Sequence, residues 1–253
     1  MIGTFQKKKL KKAIEYLSAG GVVDELVLTF NKETQQISTS WLDNDSKSVS
    51  AITYVKIPEI EESCEITLIS LSDPKLTNLT NVLGAFHDED KIKMEVLNSF
   101  LVLSSGSTNV KIRLGDKNHI KSFHIPKYEF KDNVITFKNG KKLEKYARLN
   151  VDYIKDAIKN SKVIFATKFG MMINEQIIHI VSQNDGGETT KTSAPLIEGK
   201  GKCEGIFSTN IIEKGLSPLF GNLSIFMEDN EPMVIQQKND EVDLMYSFGN
   251  VRD

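Results

Sequence analysis

The chain has 253 residues, 40% hydrophobic and 26% charged, with a formal net charge of −2. That length and apolar content suit two modest cores and exclude a disordered chain, which would have too little apolar surface to bury. No apolar run approaches the roughly 20 residues a membrane-crossing helix needs, and the opening MIGTFQKKKLKKAIEYL lacks the unbroken apolar stretch of a signal peptide, so an intracellular protein is expected.

From Lys7 to Ser18 the residues Leu10, Ala13, Ile14 and Leu17 recur at i, i+3, i+4 and i+7. This spacing predicts a helix with one apolar stripe, leaving Lys8, Lys11, Lys12 and Glu15 off it, and Gly20 and Gly21 end it. Three strands are expected next: Leu26, Leu28 and Phe30 alternating, then Ile37, Thr39 and Trp41, then 49–55, with polar turns at NKETQ and DNDSKS. A strand on Cys64, Ile66 and Leu68 leads to a helix capped by Ser72 or Asp73, with Pro74 in its first turn and Leu76, Leu79, Leu83 and Phe86 as its stripe. A meander follows on Ile92, Met94 and Val96, then 100–104 after a turn at Asn98 and Ser99, then Val110, Ile112 and Leu114.

Residues 115–147 show neither a sustained helical stripe nor a good meander. Ile120, Phe123, Ile125, Tyr128 and Phe130 nevertheless make them too apolar for a free tether, so a connector that packs on a surface or meets a partner is expected. Asn139-Gly140 marks a hairpin at its end. Asn150 then caps a helix striped by Val151, Ile154, Ala157 and Ile158, with Lys155 and Lys159 off the stripe. Strands at 163–169, 177–181 and 188–193 follow, then a turn at EGKGK. Cys203, Gly205 and Phe207 share one face of the next strand. Thr209 offers its hydroxyl as N-cap to a short helix carrying Ile211, Ile212 and Leu216, which Gly215 and Pro218 stop. A second meander closes the chain on Leu223, Ile225 and Met227, then 233–237, then Val242, Leu244, Tyr246 and Phe248.

Both halves thus have the order helix, three strands, strand, helix, three strands, without shared letters. A repeated order of elements points to two related α+β domains, 1–114 and 148–253, joined by 115–147. No catalytic constellation is found. Cys64 and Cys203 sit in apolar strand patterns and read as buried thiols. HDED at 87–90 has metal-ligand residue types but falls in a helix-to-strand turn, where charge is expected, and His119, His124 and His179 have no nucleophile or cysteine at a recognisable spacing. There is no phosphate-binding loop, and Gly186-Gly187 is flanked like a hairpin turn. No enzyme activity, metal or cofactor is expected; an unfamiliar α+β enzyme would be favoured only if His87, Asp88 and Asp90 met around a metal in a cleft.

The order of elements, the helix KKKLKKAIEYLSAGG, the turn and strand WLDNDSKSV and the segment FMEDNEPMVIQQK together resemble the DNA polymerase sliding clamps: proliferating cell nuclear antigen (PCNA), its archaeal relatives and the clamps of tailed phages. The resemblance implies two similar DNA-clamp domains, each with two helices packed on antiparallel sheet, and a homotrimeric ring with strands outside and helices lining a hole for duplex DNA. It implies sequence-independent DNA contact by Lys8, Lys11, Lys12, Lys75, Asn78, Asn81, Lys155, Lys159, Asn210 and Lys214. It implies subunit pairing of one edge, Asn109, Val110, Lys111, Ile112 and Arg113, with another, Thr189, Thr190, Lys191 and Thr192. A partner-peptide pocket is implied at Leu42, Val49, Ile120, Phe123, Ile125, Pro232, Tyr246 and Phe248. Its users would be a DNA polymerase, the clamp loader ATPase and other proteins with short hydrophobic clamp-binding peptides; no membrane is involved.

The connector is longer and more basic than PCNA's, and the tail FGNVRD lacks the usual acidic extension, which are departures from the pattern. The implied setting is the cytoplasm or nucleoid of a prokaryotic or virus-infected cell, or the nucleus if eukaryotic. The alternative is a clamp-like interaction scaffold or hetero-ring subunit without independent DNA encirclement. The two differ in whether three chains close on the same two edges and whether the helix lysines face the hole.

Overall fold

A computed structural model describes residues 1–23, 25–42, 49–68, 79–116, 128–137 and 140–251. Among these the alternating patterns become antiparallel sheets and the 3.6-residue stripes become four helices. The residues group into two compact units. The first takes in the elements from residue 1 to 116, apart from strand ends at 42 and 49–50, together with 239–244; the second takes in what is described from 128 to 238 and from 245 onward.

In the first unit, β1 (Gly3–Gln6) runs into α1 (Lys7–Leu17), followed by β2 (Leu26–Asn31), β3 (Gln36–Leu42), β4 (Val49–Lys56) and β5 (Cys64–Leu68). After α2 (Leu79–Leu83) come β6 (Lys91–Leu97), β7 (Phe100–Ser105) and β8 (Thr108–Arg113). β4, β3, β2 and β5 are neighbours in one sheet and β1, β6, β7 and β8 form another. The core lies between them, with the rings of Phe5 from β1 and Phe30 from β2 6.4 Å apart. Leu10, Ala13, Ile14 and Leu17 of α1 are buried as their spacing predicts. β1 itself is not evident from MIGTFQ; its four residues become a strand because β6 pairs them, Gly3 with Met94 through Gln6 with Lys91. Val96 is a correction: Ile92 and Met94 are fully buried, but Val96 lies beside the β6–β7 turn, paired with Leu101, and is exposed. Leu79, Leu83 and Phe86 of the second stripe are buried; Ser72, Asp73, Pro74 and Leu76 lie outside the described residues.

The second unit starts within the expected connector, where strands are foreseen only at the hairpin of Asn139-Gly140. β9 (Tyr128–Lys131), β10 (Val134–Phe137) and β11 (Lys142–Leu143) form a small antiparallel sheet. Asp132 and Asn133 both take left-handed φ, +53° and +58°, the conformation of a two-residue hairpin turn. Ile135 and Leu143 are buried in a cluster with Tyr146, Phe226 and Val234.

β12 (Lys145–Asn150) leads into α3 (Val151–Val163), where the Asp152 amide donates to Asn150 Oδ1 at 2.9 Å, the expected cap. α3 overruns the strand expected at 163–169; β13 begins later (Lys168–Asn174). The β-branched and aromatic letters of VIFATKF look like a strand, but the helical stripe continues through Ser161, whose hydroxyl donates to Ala157 O at 2.8 Å. β14 (Ile177–Gln183), β15 (Thr189–Pro195), β16 (Glu198–Lys200) and β17 (Lys202–Ser208) follow, so part of the expected EGKGK turn is a strand, paired to β12.

α4 (Thr209–Leu216) corrects two further expectations. Ser208 occupies the N-cap position without a side-chain bond, and the Thr209 hydroxyl is buried with no partner. Gly215 lies inside the helix and does not end it; a Cβ there would sit 2.6 Å from the Phe248 ring, so packing accounts for the glycine. β18 (Asn222–Met227), β19 (Met233–Lys238) and β20 (Val242–Phe248) complete the chain, with Val242, Leu244, Tyr246 and Phe248 buried in alternation. The sheets are β15-β14-β13-β17 and, within this unit, β16-β12-β18-β19.

Candidate nucleic-acid interface

The apolar stripe of α1 turns Lys8, Lys9 and Lys11 to solvent, with Lys12 half-buried beside them. Lys12 Nζ donates to Glu241 Oε2 at 3.0 Å and sits 5.7 Å from the Tyr16 ring centroid. Burial, then Glu241 and Glu15, push the Tyr16 hydroxyl up to about 12. Lys7, on the stripe side, is buried and ion-paired to Asp88. A hydrogen bond from Lys7, its charge, and the nearby Lys11 and Lys8 hold the Asp88 carboxyl below the usual range. Asp90 Oδ2 accepts from the His87 amide at 2.8 Å. The HDED turn therefore spends two carboxylates on local structure and on the start of α1. Lys7 and Lys9 were both readable from KKKLKK: position 7 is three before Leu10, and position 9 is off the stripe.

α3 has the same stripe and a different outward face. Asp152, Asp156 and Lys159 are exposed opposite the buried Ile154, Ala157 and Ile158. Lys155 is not a free cation: its ammonium donates to Leu219 O at 2.7 Å and Ser217 O at 3.3 Å, and burial lowers its pKa. Lys162 is held by both oxygens of Glu213 on α4, at 2.9 and 3.0 Å. A groove of about 330 Å³ between α3 and α4 is lined by Lys155, Ile158, Lys159, Lys162, Glu213 and Ser217. Asn210 and Lys214 on α4 and Asn81 on α2 are exposed; Lys75 and Asn78 lie outside the described residues.

The two expected edges are real sheet edges among the described strands: β8 ends the sheet β1-β6-β7-β8 and β15 ends β15-β14-β13-β17. Asn109, Lys111, Arg113, Thr189 and Lys191 are exposed, and Val110, Thr190 and Thr192 half-buried, whereas Ile112 is a core residue. Of the expected peptide pocket, Ile120, Phe123 and Ile125 and the side chains of Leu42 and Val49 lie outside the described residues, and Pro232 is half-buried. Tyr246 and Phe248 are fully buried, Phe248 against α4, so their side chains close the core and are not open to a ligand. Their alternation with polar neighbours is itself the signal of that burial.

Neither a protein-family model nor a curated protein sequence matches the chain. Solved structures match it over nearly its whole length. The PCNA of Entamoeba histolytica aligns with a TM-score of 0.76 at 12% identity, covering 99% of this chain and 98% of that one. A. fulgidus PCNA, in a structure with the C-terminal region of FEN-1, gives 0.74 at 15% identity, over 99% and 98%. The PCNA of Thermococcus kodakaraensis gives 0.72 at 16%, over 98% and 99%. At such identities the likeness speaks for architecture. The chain has the fold of the PCNA sliding clamps.

Proposed function

We propose that this chain is a DNA sliding clamp, a processivity factor acting by topology and tethering without covalent chemistry. Three copies close a ring on duplex DNA, and the ring tethers a DNA polymerase, the clamp loader ATPase and other replication or repair proteins. The observation that carries this is the lysine face of α1 within a clamp fold. Lys8, Lys9, Lys11 and Lys12 occupy the first half of a helix that has no acidic residue in its first turn and no side-chain cap. Lys8 and Lys9 in the first turn oppose the helix dipole by roughly 0.3–1 kcal/mol each, so folding alone does not favour them, whereas phosphates do.

The free edges of β8 and β15 support ring closure by strand addition. Beside the β14–β15 hairpin, whose Asn184 side chain donates to Ile164 O at 2.9 Å, Val163 and Phe165 are 73% and 86% exposed. A second copy would cover them; fully burying a phenylalanine contributes about 1.5–3 kcal/mol. Asp152 and Asp156 on α3 favour a second reading, in which the chain serves as a scaffold or hetero-ring subunit with weaker hold on DNA. The compartment would be wherever replication occurs: cytoplasm or nucleoid of a prokaryotic or infected cell, or a nucleus.

Light scattering across a dilution series, followed by primer extension on a primed circular template with the cognate loader and polymerase, tests the proposal. A trimeric mass and longer extension products are expected. A strict monomer with no gain in processivity overturns it in favour of the scaffold.

A further inference from the structure

The outer face of the sheet β15-β14-β13-β17 carries a notch outside the core; only its rim residue Lys191 lies on β15, the strand whose backbone edge is proposed to close the ring. Alternation sends Phe169, Met171 and Phe207 inward and Gly170, Met172, Val181 and Ile206 outward. Register places Val181 opposite Gly170 on one side and Ile206 on the other. The missing side chain therefore leaves a trough between two branched apolar walls, closed at one end by Met172. It encloses about 280 Å³, and Met172, Val181 and Ile206 remain 45%, 41% and 37% exposed.

Nothing inside the molecule requires glycine at 170. Its φ is not left-handed, and a Cβ would meet nothing nearer than Val181 O at 3.7 Å, an ordinary contact. At Gly205, in the neighbouring strand, a Cβ would lie 2.8 Å from the Phe207 ring. Glycine weakens a strand interior and there marks a bulge, a bend or the close approach of another molecule; β13 pairs in unbroken register with both neighbours, which leaves the last.

The rims carry opposite charge. Lys191 on β15 is exposed and has no ion-pair partner among the described residues. On the β17 side Glu204 is exposed and supplies the negative charge; Asp229, whose Oδ1 accepts from the Glu204 amide at 3.0 Å, is itself 3.8 Å from the Lys145 ammonium, and Lys202 lies two residues farther from the notch. With strands about 4.8 Å apart, Lys191 is two strands, about 10 Å, from Gly170, and Glu204 is one strand and two residues away, about 8 Å. An extended chain advances about 3.3 Å per residue, so each charge faces a position two to three residues from one seated over Gly170.

We infer that this notch docks an extended segment of a protein partner. The segment inserts one bulky apolar side chain over Gly170 and carries an acidic residue two to three positions to one side, for Lys191, and a basic residue at a similar distance on the other, for Glu204. The site lies wholly within the second unit and does not depend on ring closure.

The test pans a random twelve-residue peptide library, displayed on phage, against the full chain, and titrates the recovered sequences as synthetic peptides. The comparison protein is Gly170→Val, which fills the notch with a residue that suits a strand. If that variant fails to fold, Ile206→Ser replaces it, because that side chain is already partly in solvent. Peptides with an apolar anchor flanked by acid and base are expected, binding roughly tenfold more weakly to the filled variant, as for loss of an anchor pocket. Lys191→Glu should weaken the same peptides and favour their charge-reversed versions. Failure to recover peptides, or binding that the notch variants leave unchanged, overturns the inference.

Discussion

α1 and α3 follow a strand in their respective units, bury the same kind of stripe, and present opposite chemistry to solvent. α1 shows Lys8, Lys9 and Lys11 with Lys12 beside them, on a helix with no cap and no acid at its positive end. α3 is capped by Asn150, has Asp152 in its first turn, and exposes Asp156 with Lys159, while Lys155 and Lys162 are tied into the unit. α3 is built as a stable helix is expected to be; α1 is built against its own dipole. The difference shows that the stripe settles where a helix packs and leaves its outer face free, so function is legible where the outer face departs from what stability prefers.

The strongest way to break this comparison is the double substitution Lys8→Glu with Lys11→Glu. Retention on DNA should collapse, and log affinity should depend less steeply on log salt by about 0.9 for each phosphate that is no longer neutralised. The melting temperature should stay level or rise, because negative charge suits the start of a helix by about 0.3–1 kcal/mol. Lower affinity with unchanged salt dependence would remove these lysines from the DNA contact.

Lys155→Met sharpens the contrast from the other side. It deletes the donors to Leu219 O and Ser217 O, and should cost about 1–3 kcal/mol in denaturant unfolding while leaving the salt dependence of DNA binding alone. A reduced salt slope would make Lys155 a phosphate contact after all.

Alkaline unfolding draws on buried groups in both units, since burial also raises the Cys64 thiol of the first unit above 9.0. Burial pushes the Cys203 thiol in the second unit up to about 12 from 9.0, and Tyr16 on α1 up to about 12 from 10.0. In both cases the unfolded chain loses its proton first, so stability present below the unfolded pKa is lost as pH rises. The loss begins near pH 9 for Cys203 and near pH 10 for Tyr16, at up to about 1.4 kcal/mol per pH unit for each. Cys203→Ala should make stability fall less steeply between about pH 9 and 12, read by urea unfolding followed by circular dichroism at a series of pH values. The smallest effect is expected from Asp156→Asn: stability should change by less than about 0.5 kcal/mol, with DNA retention slightly raised. Weaker retention would show that the acid assists the contact.

The periodic elements were legible because their signals are local. Leu10 to Leu17 and Val151 to Ile158 announce helices, and Leu26 to Phe30, Cys203 to Phe207 and Val242 to Phe248 announce strands, since 3.6- and 2-residue spacing is set by backbone geometry alone. The same alternation held a warning about Tyr246 and Phe248, whose inward phase puts them in the core instead of in an open pocket. The acids of α3 were equally legible, since Asp152 and Asp156 fall off its apolar stripe just as Lys159 does.

By itself the amino-acid sequence determined which faces are apolar, the repeated order of elements and the lysine-rich start of α1, because each depends on residues within a few positions of one another. Tertiary structure decided the rest. β1 and β16 are strands only because β6 and β12 pair with them. Gly215 is a packing residue only because Phe248 lies over it, and Lys155 is an anchor only because two carbonyls of a distant turn meet its ammonium. Gly170 becomes a notch only where Val181 and Ile206 arrive on either side. Each of these depends on which atoms lie across from a residue in space, and local spacing carries no record of that.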